Sequence, residues 1–236
     1  MDSARLLFVF TLLTVSITAR ACNQQTRWKT YNDAGMAAHA QGSYAEAENQ
    51  WRAAILQAEN LGPQDSRLAT SLNNLGELYR DEHRYGESEP LLRRALAIRE
   101  KVLKRDDPEL LSSLNNLADL YSTEGKFAEA EPLYQNALTV VVAVSGGENP
   151  AVATSLNNLA ETYRRERKYA EAEPLYRRTL TIREEKLGPE HPATVISREN
   201  YAAFLRETST TGGRTSSTKS GAGSGSDSSG KPSGEK

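Results

Sequence analysis

Ser71-Leu72-Asn73-Asn74-Leu75-Gly76-Glu77-Leu78-Tyr79 decides the fold, because the chain writes it again 42 residues later as Ser113-Leu114-Asn115-Asn116-Leu117-Ala118-Asp119-Leu120-Tyr121. It returns once more as Ser155-Leu156-Asn157-Asn158-Leu159-Ala160-Glu161-Thr162-Tyr163, then fades into Ser197-Arg198-Glu199-Asn200-Tyr201-Ala202-Ala203-Phe204-Leu205. A second phrase keeps the same register: Tyr85-Gly86-Glu87-Ser88-Glu89-Pro90-Leu91, Phe127-Ala128-Glu129-Ala130-Glu131-Pro132-Leu133 and Tyr169-Ala170-Glu171-Ala172-Glu173-Pro174-Leu175. A weaker first copy is Gly42-Ser43-Tyr44-Ala45-Glu46-Ala47-Glu48. A period of this length marks a stack of units, none of which can bury its apolar face alone. Function is therefore sought on a repeated surface rather than in one pocket.

Within a copy, Leu72, Leu75, Leu78 and Tyr79 follow the three-and-four spacing of one helical face, as do Leu114, Leu117, Leu120 and Tyr121, and Leu156, Leu159 and Tyr163. Asp107-Pro108, Asn149-Pro150 and His191-Pro192 each set a capping residue before a proline whose missing N–H costs nothing at the first helical position; Asp65-Ser66 cap without the proline. A partner helix is expected near each Glu-Pro-Leu step, since Pro90, Pro132 and Pro174 suit a first turn and an interior proline costs ~3 kcal/mol. Leu91, Leu92, Ala95, Leu96 and Ile98 supply its apolar face, as do Leu133, Tyr134, Ala137 and Leu138. It ends before Leu187-Gly188-Pro189 or the degraded forms Lys104-Arg105-Asp106 and Ser145-Gly146-Gly147. Each unit reads as helix, tight turn, helix, loop, and the fold class is all-α.

Both ends differ from the array. Arg5 precedes the apolar run Leu6–Val15, and Ala19-Arg20-Ala21 has the small-x-small form of a cleavage site, so residues 1–21 read as a secretory signal peptide. The run is shorter than the ~20 residues of a spanning helix. Cys22 follows at once and is the single cysteine, so no internal disulfide forms. Thr18-Ala19-Arg20-Ala21-Cys22 resembles a lipobox, which makes Cys22 the lipidation candidate, the other reading being a plain thiol in a leader over residues 22–26. From Thr208 the chain is Ser, Gly, Thr and Lys with almost nothing apolar, which cannot offset the ~1–2 kcal/mol per residue of ordering a backbone. Residues 208–236 are expected to form a disordered tail, leaving the array over 27–207.

Composition narrows the function classes. With 236 residues, 25% charged, 38% hydrophobic and a formal net charge of -2, the chain lacks the basic stripe that phosphate neutralisation requires, so no nucleic-acid partner is expected. His39, His83 and His191 fall in different repeats with no ligand at metal spacing, the glutamates of the Glu-Ala-Glu phrases are too regular for a unique acid–base pair, and no glycine loop cradles phosphate. The reading is non-enzymatic, with no cofactor and no metal. The Glu-Ala-Glu phrases are expected to complement the helix macrodipole and nothing more.

Leu72, Leu75, Gly76, Tyr79, Tyr85, Ser88, Leu92 and Ala95 match the eight positions that define a tetratricopeptide repeat, and Leu114, Leu117, Ala118, Tyr121, Phe127, Ala130, Tyr134 and Ala137 match them again. The 42-residue period, the Leu-Asn-Asn-Leu phrase and the Gly188-Pro189-Glu190-His191-Pro192 linker resemble the kinesin-light-chain type of this repeat, also abundant in bacterial proteins. The resemblance covers 27–207 and implies a right-handed superhelical solenoid of about four antiparallel helix pairs. Tyr31, Ala34, Gly35, Ala38 and Trp51 form a smaller-cored first unit, and the last copy supplies a polar capping helix with Arg198 in place of a core leucine.

By the same resemblance the first helices line a concave groove. Its expected positions are Asn73, Glu77 and Arg80, then Asn115, Asp119 and Ser122, then Asn157, Glu161 and Arg164, with Asn32, Met36 and His39 extending the row. Spacings of four and three share one helical face. An asparagine row suits an extended peptide, because each amide offers donors and an acceptor to a backbone without regard to its side chains. Asn74, Asn116 and Asn158 are expected to bond neighbouring backbone or the adjacent helix. Glu77, Asp119 and Glu161 favour a ligand with positive charge, and Arg80 and Arg164 set local exceptions. The expected function is an adaptor or assembly factor in a bacterial cell envelope with a protein or peptide partner; a self-assembling spacer is the alternative. Membrane contact comes only through a lipid on Cys22 or an uncleaved leader.

Overall fold

The computed structural model describes residues 23–217, with side-chain surroundings through residue 210. Among the described residues all regular structure is α-helical: α1 (23–40), α2 (Tyr44–Glu59), α3 (Ser66–Asp81), α4 (Tyr85–Val102), α5 (Pro108–Thr123), α6 (Phe127–Ser145), α7 (Pro150–Arg165), α8 (Tyr169–Leu187) and α9 (Pro192–Ser217). Consecutive helices pair antiparallel, and α9, packed on α8, is the last helix among the described residues.

The cap signals hold. Asp65, Asp107 and Asn149 accept from the backbone N–H groups of Arg67, Glu109 and Ala151 at 2.9, 2.8 and 2.9 Å, and His191 Nδ1 accepts from that of Ala193 at 3.2 Å.

The second helices start earlier than the Glu-Pro-Leu steps suggest. Gly42, His83, Gly125 and Arg167 each take a positive φ, and the next N–H turns back to a carbonyl five residues upstream: Ser43 to Ala38 at 2.9 Å, Arg84 to Tyr79 at 2.7 Å, Lys126 to Tyr121 and Lys168 to Tyr163 at 2.8 Å. This left-handed C-terminal motif reverses the chain at once. The following helices begin at Tyr44, Tyr85, Phe127 and Tyr169, so Pro90, Pro132 and Pro174 lie inside them rather than in the first turn. Each proline forfeits one bond near a helix start. The carbonyl it would have met belongs to exposed Gly86, Ala128 or Ala170, where water can serve it.

The core is a seam between the layers of helices. Leu72, Leu75, Leu78, Leu114, Leu117, Leu120, Leu156 and Leu159 are buried as their spacing requires, against Leu92, Ala95, Tyr134, Ala137 and Tyr176. The seam thins at the start, where Ala38 and Ala47 pack on Trp51, and closes at the end with Phe204 against Tyr169 and Tyr176. Arg198, in a leucine's place, is exposed and donates to Glu184 at 3.0 Å. Residues 23–26, expected as leader, already belong to α1, while Cys22 and everything before it lie outside the described residues. The expected boundary between 207 and 208 falls inside α9: the hydroxyls of Thr208, Ser209 and Thr210 bond carbonyls one turn back, at 3.2, 2.7 and 2.8 Å, so these polar residues continue the helix. Residues 218–236 lie outside the described residues.

Candidate peptide-binding groove

α3, α5 and α7 carry the expected positions on one face, flanked by α1 and α9. The asparagine pairs are tied together across repeats. Asn74 Nδ2 donates to Asn32 Oδ1 of α1 at 3.2 Å, and Asn200 Nδ2 of α9 donates to Asn157 Oδ1 of α7 at 3.3 Å. In each rung the second asparagine of one repeat reaches the first asparagine position of the repeat before it. The same rung at the central junctions would join Asn116 to Asn73 and Asn158 to Asn115, and there it is open. Asn116 Nδ2 turns instead to Glu77 Oε2 at 3.4 Å, and Asn73 Oδ1 and Asn115 Oδ1 are buried with no partner among the described residues. A buried acceptor left unmet costs about 1–3 kcal/mol. Asn73 is only 4% exposed, whereas Asn115, Asn116, Asn157 and Asn158 are half-buried.

The charges of the row mostly serve each other. Arg80 lies 3.8 Å from Glu77, 3.0 Å from Asp81 and 3.7 Å from Asp119, so one guanidinium faces three carboxylates. Arg164 pairs with Glu161 at 2.7 Å and with Glu207 at 2.5 Å, and Arg165 adds a contact to Glu161 at 2.9 Å. The excess of negative charge thus sits toward α3 and α5. Beneath the row, Tyr134 of α6 donates to Asp119, and Tyr176 of α8 donates to Glu161 at 2.8 Å. Burial raises the Asp119 carboxyl despite the Tyr134 and Arg80 contacts. Burial also opposes ionisation of Glu161, but the bonds from Arg164, Arg165 and Tyr176 outweigh it and bring its pKa to about 2. At the first repeat Met36, His39, Trp51, Asn74 and Glu77 enclose a small pocket of about 170 Å³. Ser122 is half-buried at the end of the α5 row.

Three recurring features escape the groove pattern. The second glutamate of each Glu-Ala-Glu phrase, expected only to complement a macrodipole, bonds the tyrosine of the next repeat. Tyr79 donates to Glu48 at 2.8 Å, Tyr121 to Glu89 at 3.0 Å and Tyr163 to Glu131 at 3.1 Å. A cation covers each ring: Arg84 at 4.0 Å, Lys126 and Lys168 at 5.6 Å. The Arg84 bond, helped by Tyr79 and Arg52, holds Glu48 near a pKa of about 2 against the cost of its burial. Second, Arg99 and Arg183 are buried and clamp the next repeat, burial pushing the pKa of each guanidinium down. Third, the α6 and α8 tyrosines brace groove carboxylates from below. The glutamates and the α6 and α8 tyrosines recur at the 42-residue period and the arginines at twice it; only the side-chain reach across repeats was not visible in the sequence.

Among the described residues no three His, Cys, Asp or Glu side chains are placed to hold a metal ion, and no helix is long and apolar enough to cross a membrane.

The tetratricopeptide repeat model matches residues 28–101, 67–141, 109–185 and 151–209. No curated protein matches the chain. Among solved structures, nearly identical repeats of a putative kinesin light chain from Podosopora anserina superpose with TM-score 0.70 at 23% identity, over 82% of this chain and 90% of that one. BtubC (BKLC) from P. vanneervenii gives TM-score 0.66 at 20% identity, over 86% and 84%. A Rap protein complexed with Competence and Sporulation Factor gives 0.60 at 16% identity, over 85% of this chain and 55% of that one. At such identities the structures share the fold, and the four overlapping family matches, which together run from residue 28 to 209, carry the assignment: the chain belongs to the tetratricopeptide repeat family.

Proposed function

We propose that the chain binds an extended segment of a protein partner along the α3, α5 and α7 face, as a non-enzymatic adaptor or assembly factor. The observation that carries this reading is the contrast between closed terminal asparagine rungs and open central ones. Closed rungs are structural. At the open rungs the half-buried Asn116 and Asn158 lack the asparagine partner that closes the terminal rungs, and Asn73 and Asn115 hold acceptors that gain a partner when a ligand N–H enters the rung. The backbone of an extended peptide supplies alternating donors and acceptors to both. The helices are already locked by cross-repeat bonds, so the ligand alone bears the ordering cost. Three carboxylates around Arg80 favour a segment with positive charge at the α3 end.

The cell envelope is the proposed location, on the strength of Arg5, the apolar run that follows it and the Ala19-Arg20-Ala21-Cys22 step. The intact mass of native protein tests this: a chain starting at Cys22, with or without acyl mass, supports export, and an uncleaved start at Met1 contradicts it.

Affinity capture from native membranes tests the groove. A partner held by the wild type and lost by a folded Asn116→Ala, Asn158→Ala variant supports the reading, and equal capture by both moves the contact elsewhere. The self-assembling alternative draws on one feature: Leu205 is 43% exposed on α9, which no later helix among the described residues covers. A mass that rises with protein concentration would favour it.

A further inference from the structure

Away from the groove, the junction of α4, α5 and α6 holds a cavity of about 420 Å³, within the roughly 300–1,000 Å³ of small-molecule sites. Its apolar wall is Leu103, Leu110, Leu114, Val140 and Ala143, and Glu100, Arg105, Asp106 and Asn136 stand at its polar rim.

The cavity exists because the third repeat departs from its neighbours at two positions. Arg94 and Arg178 occupy the place of Asn136, one period before and after it. Each spans its junction: Arg94 donates to Glu59 of α2 at 3.0 Å, and Arg178 donates to the Gly147 carbonyl at 3.2 Å. Gly147 is the counterpart of Arg105, so an arginine at 136 would reach across the mouth of this cavity. Asn136 is too short and makes no such bond among the described residues. Likewise Lys101 and Glu185 occupy the place of Ala143, where the methyl group leaves apolar wall uncovered. The same helix stretch reads Val140-Val141-Val142-Ala143 against Ile98-Arg99-Glu100-Lys101 and Ile182-Arg183-Glu184-Glu185. The array therefore gives up a charged closure here and nowhere else along its second helices α4, α6 and α8.

The rim chemistry selects the ligand. Glu100 and Asp106 have no ion-pair partner among the described residues, and Arg105 offsets one of the two, leaving a net negative charge. Thr139, also on the lining, spends its hydroxyl proton on the Gln135 carbonyl at 3.0 Å. Two carboxylates against one guanidinium thus stand at the rim of an apolar floor. We infer that this cavity binds a small amphiphilic organic cation, its apolar body on Leu110, Leu114 and Val140 and its ammonium group at Glu100 and Asp106. The site is independent of the groove.

The test uses n-octylammonium and n-octanoate as probes, read by methyl NMR of the array. The cation is expected to saturate shifts at Val140, Ala143, Leu110 and Leu114, with the carboxylate at least about tenfold weaker. Asn136→Arg with Ala143→Glu installs the fourth repeat's own residues, so the variant is expected to melt no lower than wild type and to lose the shifts. Glu100→Gln with Asp106→Asn should keep the apolar contact and abolish the preference for the cation. Equal or tighter octanoate binding, shifts that survive the Asn136→Arg, Ala143→Glu change, or no saturable binding of either probe would each overturn the proposal. Should that first variant fail to fold, the charge-neutral pair decides alone.

Discussion

Arg99 of α4 donates to Ser113 Oγ of α5 at 2.8 Å, and the same guanidinium reaches the Glu109 carbonyl at 2.8 Å and Thr70 Oγ1 of α3 at 3.2 Å. Arg183 repeats the clamp on Ser197, Ala193 and Thr154 at 2.6, 3.0 and 3.2 Å. Between them the equivalent residue is Val141, buried with Val152, Leu156 and Ile182. Two repeat junctions are thus tied by a buried cation and one by apolar packing. Arg99→Met removes charge-assisted bonds worth about 1.5–3 kcal/mol and strands Ser113, so a loss of ~2 kcal/mol is expected in chemical denaturation. A loss under about 0.5 kcal/mol would show the clamp to be incidental.

Leu117 is 4% exposed in the central cluster with Tyr121, Tyr134 and Leu159. Leu117→Ala is expected to cost ~2–5 kcal/mol, because the rigid helices on both sides collapse poorly onto the space. A measured loss below about 1 kcal/mol would remove Leu117 from the core.

Arg167 holds φ 61 in the turn before α8, where Gly125 serves one repeat earlier with φ 76. A side chain in that region costs about 1–2 kcal/mol. Arg167→Gly relieves it at some cost in chain entropy, and a rise in stability of about 0.5–1 kcal/mol is expected. A decrease would mean that the Arg167 side chain contributes a contact the turn needs.

Glu48 and Glu161 both have a pKa of about 2 against an ordinary 4.5. Their folded-state values are depressed, so their contribution is complete above pH 4.5 and is lost as pH falls toward about 2. Melting temperature should drop across that window. Glu161→Gln should lower stability at neutral pH and flatten the acid limb; an unchanged acid limb would show that other carboxylates govern acid unfolding.

Much of this fold is legible in the letters. Leu72, Leu75, Leu78 and Tyr79 announce their helix by spacing and Asp65 its start, as Asp107, Asn149 and His191 announce the starts of the later copies. Pro90 misleads by one turn, because the left-handed residue His83 reverses the chain before the proline is reached and the lost bond falls beside water. The groove is less legible. Spacing places Asn73 and Asn74 on adjoining faces, but which amide is buried depends on the rotation of α3 against α1 and α5, a property of packing between repeats. The glutamate and arginine ties escape for the same reason: Glu89 and Tyr121 meet across 32 residues of chain. Their one signal was recurrence, as Arg99 returns in Arg183, but exposed Glu100 and Glu184 recur equally, so recurrence alone did not mark the buried ones.

The central claim is that Asn116 and Asn158 take the backbone of an extended partner segment while the terminal rungs only hold the stack. Short random-sequence peptides selected on the wild-type array provide the ligand, and calorimetry of those peptides against two folded variants provides the test. Asn116→Ala with Asn158→Ala should weaken binding at least about tenfold, whereas Asn74→Ala with Asn200→Ala should leave affinity within about twofold at some loss of stability. Equal affinity for the first variant and the wild type would contradict the account.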